Sequence, residues 1–318
     1  MKTLEQFDGL AGVKLPVQPV HLAIGMFDGV HLGHQSVIAS AIQSARSGGG
    51  LAGVLTFRGH PSRLLRPENP TRLILSPEAK RHVLARYDLD FLIEQEFSPE
   101  FAGVSARDFV PLLQRSLPRL AAIYVGENWR FGRGREGDVA LLVQEAGKIG
   151  VNVFGAPRIG HEGTPISSSR IRTLLETGKI AEANILLGYS YFSEGTVQTG
   201  RQLGREIGFP TLNLVWEPEL RPSYGVYVVS IVDETGKTSL GVANYGVRPT
   251  VDQTSQPLLE IHVLGETNLG PGRKLTVHWL HFLRAEKKFS GVDELRVQIA
   301  QDRQNALIYF AKFTGEGK

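Results

Sequence analysis

The sequence predicts two successive domains, an α/β domain built on a parallel sheet and a small antiparallel β-barrel followed by a C-terminal helix. Three observations predict it. Up to about residue 186, short apolar runs alternate with segments of helical periodicity, the pattern of a parallel sheet. After Gly188 the texture changes to Gly- and Pro-punctuated β-type runs, which suit a small closed sheet. One helix-period segment, about Val292 to Phe313, ends the chain, with Leu295, Ile299, Leu307 and Phe310 spaced to cover a barrel end or side.

In order, the first domain reads PVHLAIG, a helix from about His34 to Arg46, LAGVLTF, a helix from Pro77 to Tyr87, and FLIEQEF. It continues through a helix near Ala106 to Arg115, AAIYVG, a helix over Asp138 to Gly147, and VNVFG. Loops that leave the carboxyl ends of such strands are the expected ligand sites. The second domain reads EGTVQTG, FPTLNLV, GVYVVSIV, LGVANYG, LLEIHVL and KLTVHWLHFL. The boundary falls near Asn184 to Tyr191, giving domains 1–186 and 187–318.

The 318 residues, 42% of them hydrophobic, are enough for two cores of the usual size. The formal charge is +3 and no run of Lys or Arg marks a nucleic-acid or membrane arm, so small anionic ligands are the expected partners. Cysteine is absent, which removes disulfides, thiolate metal sites and cysteine nucleophiles. Glu5 and Asp8 interrupt the stretch where a signal peptide would need its apolar core, and no apolar run reaches membrane-spanning length; a cytoplasmic protein, monomeric or weakly homo-oligomeric, is expected.

IGMFDGVHLGHQ lies at the first strand-to-helix turn and puts Gly25, Gly29, His31, Gly33 and His34 at the carboxyl edge of the sheet. Backbone amides and the helix dipole favour phosphate there, glycines allow close approach, and two imidazoles three residues apart can donate to phosphate oxygens. An ordinary Gly-rich turn with two exposed histidines explains the same segment taken alone. TFRGHP, with His60 and Arg63, and GENWRFGRGREGD, with Asn128, Trp129, Phe131 and three arginines, follow other strands of the sheet. ISSSRIR, at Ile166 to Arg172, offers three serines and two arginines at a helix start, a set suited to polyphosphate.

In the second domain, GTVQTGRQLGREIGFPTLNL carries glycines at 195, 200, 204 and 208 ahead of an FPTxN strand, and reads as a flap over phosphates. Thr211 and Asn213 share one face of an extended strand and can offer two oxygens to one Mg²⁺; such hard ligands admit Mn²⁺ as well. A Thr/Asn pair at a strand edge is the plainer alternative. Glu260 and His262 share a face opposite Leu259, Ile261 and Val263, so Glu260 is either a general base aimed into a pocket or a solvent-facing glutamate.

GMFDGVHLGH, TFRGHP, GENWRFG and ISSSRIR, in this order and spacing, resemble the adenylyltransferase module of prokaryotic bifunctional FAD synthetases over about residues 18–186. GTVQTGRQLGREIGFPTLNL, GVANYGVRPT and FLRAEKKFSGVDELRVQIAQD resemble the riboflavin kinase module of the same enzymes. The resemblance implies a Rossmann-like nucleotidyltransferase domain and a riboflavin kinase-like barrel, with riboflavin, FMN and ATP as substrates and Mg²⁺ as metal. For the first domain it implies that Gly25, Phe27, Asp28, Gly29, His31, Gly33, His34, Ser168, Ser169 and Arg170 hold ATP, and that Phe57, His60 and Asn128 meet the flavin. For the second it implies ATP on Gly200, Gly204, Arg205, Gly208, Thr211 and Asn213, the metal on Thr211 and Asn213, Glu260 as general base, and the flavin beside Asn244, Arg248, Arg284 and Glu286. Gly59, Trp129 and Leu212 depart from the family's usual residues, and VLGETNLGPGRKL replaces an aromatic, acidic loop after His262. Two other readings stand beside this one: an enzyme with only the adenylyltransferase active, and a binding module that senses nucleotide or flavin. Neither GxGxxG after the first strand nor a P-loop motif is present.

Overall fold

The computed structural model describes residues 4–199, 208–247 and 257–315, and the chain divides into two compact units, Met1–Ser168 and Ser169–Lys318. Of the residues singled out above, Gly200, Gly204, Arg205 and Arg248 lie outside those described.

In the first unit, β1 (Glu5–Asp8), β2 (Val20–Ile24), α1 (Leu32–Gly48), β3 (Leu51–Phe57), α2 (Ser62–Leu65), α3 (Pro77–Leu84), β4 (Phe91–Gln95), α4 (Pro99–Ala102), α5 (Ala106–Ser116), β5 (Leu120–Gly126), α6 (Val139–Gly147) and β6 (Asn152–Ala156) alternate, and the short hairpin β7 (Gly160–His161) and β8 (Thr164–Pro165) follows. The six longer strands form one sheet in the order β1-β4-β3-β2-β5-β6, with every pair parallel. The helices start where short polar caps allow. Ser76, Ser98, Ser105 and Asp138 each accept a hydrogen bond from the backbone N–H three residues on. β2 and β3 are buried almost end to end and read as near-continuous apolar runs, as strands covered on both faces must.

β2 holds the centre of this sheet. The chain builds β3 and β4 on one side of it and then crosses to place β5 on the other, so the order reverses at the carboxyl end of β2. In open α/β sheets that reversal opens a crevice for ligands. β1 was not expected from the sequence: EQFD is polar and mostly exposed, an edge strand paired only with β4, and it carries no apolar signal.

The second unit starts with α7 (Ser168–Glu176, its first residue belonging to the first unit) and α8 (Ile180–Leu187). It continues with β9 (Phe192–Gln198), β10 (Leu212–Val215), β11 (Gly225–Asp233), β12 (Thr238–Val247), β13 (Pro257–Val263), β14 (Lys274–Ala285) and α9 (Val292–Gly315). The six strands close into an antiparallel barrel in the order β10-β13-β12-β11-β14-β9. An expected boundary at 186/187 leaves α7 and α8 with the first domain, yet their hydrogen bonds run to the barrel. Ser223 N–H donates to Leu175 O at 3.0 Å, and the Asn184 amide donates to Trp279 O at 2.8 Å while accepting from Tyr191 N–H at 2.7 Å.

Alternation along the strands separates two faces. Tyr227, Tyr245, Trp279, Leu259 and Ile261 are fully buried in the barrel interior, where Trp279 lies within 4.6–5.5 Å of the Tyr227, Trp216 and Tyr245 rings. On the outer face Val226, Val228 and Val242 pack beneath Ala306, Tyr309 and Phe310 of α9. The helix therefore covers the side of the barrel as expected, but through Ala306 and Tyr309 rather than Leu307, which is 40% exposed. Arg284 of β14 pins it there: Nε and Nη2 donate to the buried Asp302 carboxylate at 2.7–3.1 Å, and Nη1 donates to Ala285 O at 3.0 Å.

Candidate functional site

The segment leaving β2 is strained in a way that few local sequences tolerate. Phe27, Gly29 and Val30 all have positive φ, 49°, 79° and 37°. For a β-branched residue such as Val30 that is a sparsely populated conformation, held only when surrounding contacts over-determine it. Here they do. The buried Asp28 carboxylate accepts from Ile74 N–H at 2.9 Å, and Asp28 O accepts from the Ser168 hydroxyl at 2.9 Å. Asp28 and Ser168 thus anchor the turn. Ser169 and Arg170 follow in the first turn of α7, in the second unit.

His31 is the N-cap of α1, so the helix begins at Leu32 rather than at His34. Its Nδ1 accepts from His34 N–H at 3.3 Å, which leaves the ring proton on Nε2. The His31 and His34 rings stack at 3.6 Å and 17°, and Phe27 meets His34 edge-on at 5.4 Å. Burial holds the His34 imidazole well below its usual pKa, and the His31 ring and the Lys80 ammonium push it further down. His34 is a neutral imidazole at physiological pH, and its buried Nδ1 has no hydrogen-bond partner. A cavity of about 220 Å³ is lined by Gly25, Met26, Phe27, His31, Gly33, His34, Asn128 and Arg158, among others. Imidazole donors, helix-terminal amides and an arginine make a surface suited to phosphate.

A second cavity of about 600 Å³ adjoins it, and Met26, Asn128 and Trp129 line both. Its wall is aromatic: Phe57, Phe97, Phe101 and Phe109 form a chain of edge-on contacts, and Trp129 stacks on Phe131 at 4.8 Å. Its rim carries His60, Arg66, Arg130 and Arg135. His60 is turned to its own loop, Nδ1 lying 2.8 Å from the Ser62 hydroxyl. With its amide oxygen toward Arg158, Asn128 accepts from Nε and Nη2 at 2.6 Å each. An apolar slot with a cationic rim suits a planar aromatic ligand that bears a phosphate.

Two residues here were missed from sequence. Arg158 follows β6 in APRIG and lines the smaller cavity. Lys80, only 3% exposed, donates from beneath the strained turn to Phe57 O at 2.7 Å, Thr56 Oγ1 at 3.0 Å and Met26 O at 3.4 Å. A readable signal existed for it: Lys80 stands three and four residues before Val83 and Leu84, on the buried face of α3.

In the barrel, strand register does the assembling. Asn213 on β10, Glu260 on β13 and Asn244 on β12 are consecutive cross-strand partners, and the row continues through Val226 of β11 to Arg284 of β14. Paired residues face the same side. The side is the outer one, since Leu214, Leu259 and Ile261 fill the interior; Asn213 and Thr211 do not point inward, as a barrel-lumen site would require. Glu260 is half-buried among polar partners rather than presented to solvent. A cavity of about 630 Å³ is lined by Gly208, Thr211, Asn213, His262, the turn from Gly265 to Pro271, and Arg303. His262 Nδ1 donates to Pro210 O at 3.0 Å and fixes the approach to Thr211.

Glu286 reaches the same row. A Cβ at Gly246 would collide with its carboxylate, so the glycine leaves room for Glu286 to meet Asn244. Burial raises the Glu286 carboxyl; the Asn244 hydrogen bond and Arg284 oppose the shift, and Glu260 adds to it. Arg284, expected beside the flavin, has Nε, Nη1 and Nη2 engaged with Asp302 and Ala285. Its part is to hold α9 to the barrel.

Comparison with known proteins places this geometry. A family model for FAD synthetase matches residues 16–170 and one for riboflavin kinase matches residues 187–310. The chain is 35% identical over 295 residues to the bifunctional riboflavin kinase/FMN adenylyltransferase of Bacillus subtilis (strain 168), covering 91% of this chain and 92% of that one. It is 34% identical over 296 residues to the protein of that description from Escherichia coli (strain K12), covering 93% and 94%. A solved chain from Streptococcus pneumoniae, described as a macrolide-efflux protein, matches with a TM-score of 0.85 at 29% identity over 94% of this chain and 97% of that one. Among the described residues of the present chain, no helix is long and apolar enough to cross a membrane.

Proposed function

The chain belongs to the bifunctional riboflavin kinase/FMN adenylyltransferase family, and from that membership we propose how its two reactions are divided between the cavities. It phosphorylates riboflavin to FMN and adenylylates FMN to FAD, with ATP as co-substrate of both steps. Adenylylation belongs at the rim of the parallel sheet. ATP lies over the His31/His34 turn in the smaller cavity, with the FMN ring in the aromatic slot and its phosphate toward the shared wall at Met26 and Asn128. An FMN phosphate oxygen attacks the α-phosphorus, the bond to the β-phosphate oxygen breaks, and pyrophosphate leaves. The His31 Nε2–H and the N-terminal amides of α1 neutralise charge as it builds on the triphosphate. Such a transfer asks for positioning and charge neutralisation rather than a covalent nucleophile.

Riboflavin phosphorylation belongs on the outer face of the barrel. Glu260 takes the proton of the ribityl 5′ hydroxyl, that oxygen attacks the γ-phosphorus of ATP, and ADP leaves. Thr211 and Asn213 offer a hydroxyl and an amide oxygen at one cavity wall, and among the described residues no cluster of three or more His, Asp or Glu forms a metal cage. Two neutral oxygens without a cage suit Mg²⁺ that arrives on substrate phosphates, with Mn²⁺ as a substitute. When bound, the metal neutralises phosphate charge. Asn244 and Glu286 frame the flavin end of the row. A cytoplasmic enzyme fits both substrates.

The observation that carries the division is the shared row of Asn213, Glu260 and Asn244, which puts a metal ligand beside a base. The test is a time course of pure protein with riboflavin, ATP and Mg²⁺, resolving FMN and FAD. FMN should appear before FAD and chelation should stop both. FAD from added FMN with no FMN from riboflavin would contradict the barrel assignment.

A further inference from the structure

We propose that Lys80 is a positioning residue for FMN adenylylation: it fixes the Met26 backbone, the ridge shared by the two cavities of the first unit, where both substrates must meet. This rests on the placement of adenylylation in those cavities. Lys80 occupies a position on α3 that packing alone would give to Leu or Met, among buried Ala79, Val83 and Leu84. Its three hydrogen bonds go to neutral oxygens. Burying an ammonium that bonds only to neutral oxygens, with Glu94 and Asp28 acting on it through charge alone, is costly, and packing by itself does not explain the choice of lysine.

The acceptors supply the reason. Phe57 O ends β3 and Met26 O lies just beyond β2, so the ammonium ties together the carboxyl ends of neighbouring strands. Thr56 doubles the tie, accepting from Lys80 and donating its own hydroxyl proton to Met26 O at 2.9 Å. Three ammonium protons thus meet three acceptors at the root of the strained turn. Met26 lines both cavities and Phe57 lines the aromatic one, so loosening this knot moves both walls together.

The charged and titratable groups around it are Asp28 on the turn after β2, Glu94 on β4, Arg81 on α3 itself and His34 on α1. Burial lowers Lys80 to about 8, against the pull of Glu94 and Asp28. Above that pH the amine keeps two protons for three acceptors.

Lys80→Met and Thr56→Val test the inference, each assayed for FMN adenylylation and, in the same preparation, for riboflavin phosphorylation and melting temperature. Lys80→Met should raise KM for FMN and for ATP together, by about tenfold, because small misplacements are costly in a two-substrate site. Phosphorylation should be unchanged, Thr56→Val should show a smaller parallel rise, and the wild-type protein should show the same joint rise above about pH 8. A lower melting temperature with both KM values unchanged, or a change in one KM alone, overturns the inference. Should Lys80→Met fail to fold, Thr56→Val and the wild-type pH profile decide it. His31→Ala serves as the control: if it leaves adenylylation intact, the cavity placement has failed. If it abolishes adenylylation while Lys80→Met moves neither KM, only the role of Lys80 has failed.

Discussion

His31 joins a structural task to a chemical one, and two substitutions separate them. Its Nδ1 caps α1 by accepting from His34 N–H, and its Nε2–H is the donor assigned to the triphosphate. Asparagine is among the best N-caps but cannot reach as far as an imidazole, so His31→Asn keeps the cap and loses the donor. His31→Ala loses both. A hydrogen bond to a charged partner contributes about 1.5–3 kcal/mol, or about 10- to 150-fold in kcat/KM. The cap, with its long 3.3 Å bond, belongs near the low end of the usual loss of about 0.5–2 kcal/mol. Both variants should therefore show the same fall in FMN adenylylation, measured as FAD formed with pyrophosphate released, while riboflavin phosphorylation holds. Only His31→Ala should melt lower, by about 1–2 °C at about 2–4 °C per kcal/mol. A wild-type adenylylation rate in His31→Asn would refute the donor role, whatever its melting temperature.

Glu260→Gln should reduce FMN formation by about 100-fold or more, the usual worth of a general base, and leave FMN adenylylation intact; product analysis checks both. Asp302→Ala strands the Arg284 guanidinium against the barrel. With Asp302 5% and Arg284 22% exposed, the loss should be near 3 kcal/mol, the lower end of about 3–5 for a broken buried pair, read from a urea melt followed by tryptophan fluorescence. Glu294, at the start of α9, has its carboxyl lowered to about 2 by the Ser290 backbone N–H, by Lys287 and by the Ser290 hydroxyl. A depressed carboxyl contributes stability above its unfolded value of 4.5 that is lost as pH falls toward 2, so hydrogen-exchange protection at the α9 N-terminus, corrected for the intrinsic rate at each pH, should fall across that window in the wild type and not in Glu294→Gln.

The parallel sheet was legible because β2 and β3 are buried on both faces and bear unbroken apolar runs, and β13 was legible because alternation separates Leu259, Ile261 and Val263 from Glu260 and His262. β1 was not, because an exposed edge strand of Glu, Gln, Phe and Asp has no pattern to offer and is specified only by its partner β4. At the candidate sites, residue type and spacing singled out His31, Asn128, Thr211 and Glu260, whereas partners set by tertiary contact stayed hidden. Asp28, expected to hold ATP, accepts from Ile74 N–H, and Arg284, expected beside the flavin, donates to Asp302. Both are charged residues inside a motif, and the sequence does not announce the distant partner that each one meets.

That distinction bears on how the two reactions are kept apart within one chain. The cavities of the first unit are lined by residues from Ile24 to Ile166 and the barrel cavity by residues from Val197 to Arg303, so they share no side chain. On the proposed division each would meet a triphosphate by different means: stacked imidazoles and helix amides in one, strand-borne oxygens beside a carboxylate in the other. The carboxylate that lines the first, Glu127, lies 3.6 Å from the Arg158 guanidinium, and the buried carboxylates Asp28 and Glu94 are tied to Ile74 N–H and Arg81. At the second, Asn213 and Asn244 flank Glu260, the proposed base, with neutral amides. On the proposed division, FMN is made beside a strand-borne carboxylate and consumed beside imidazoles and helix amides, two environments that the chain builds from separate sets of strands.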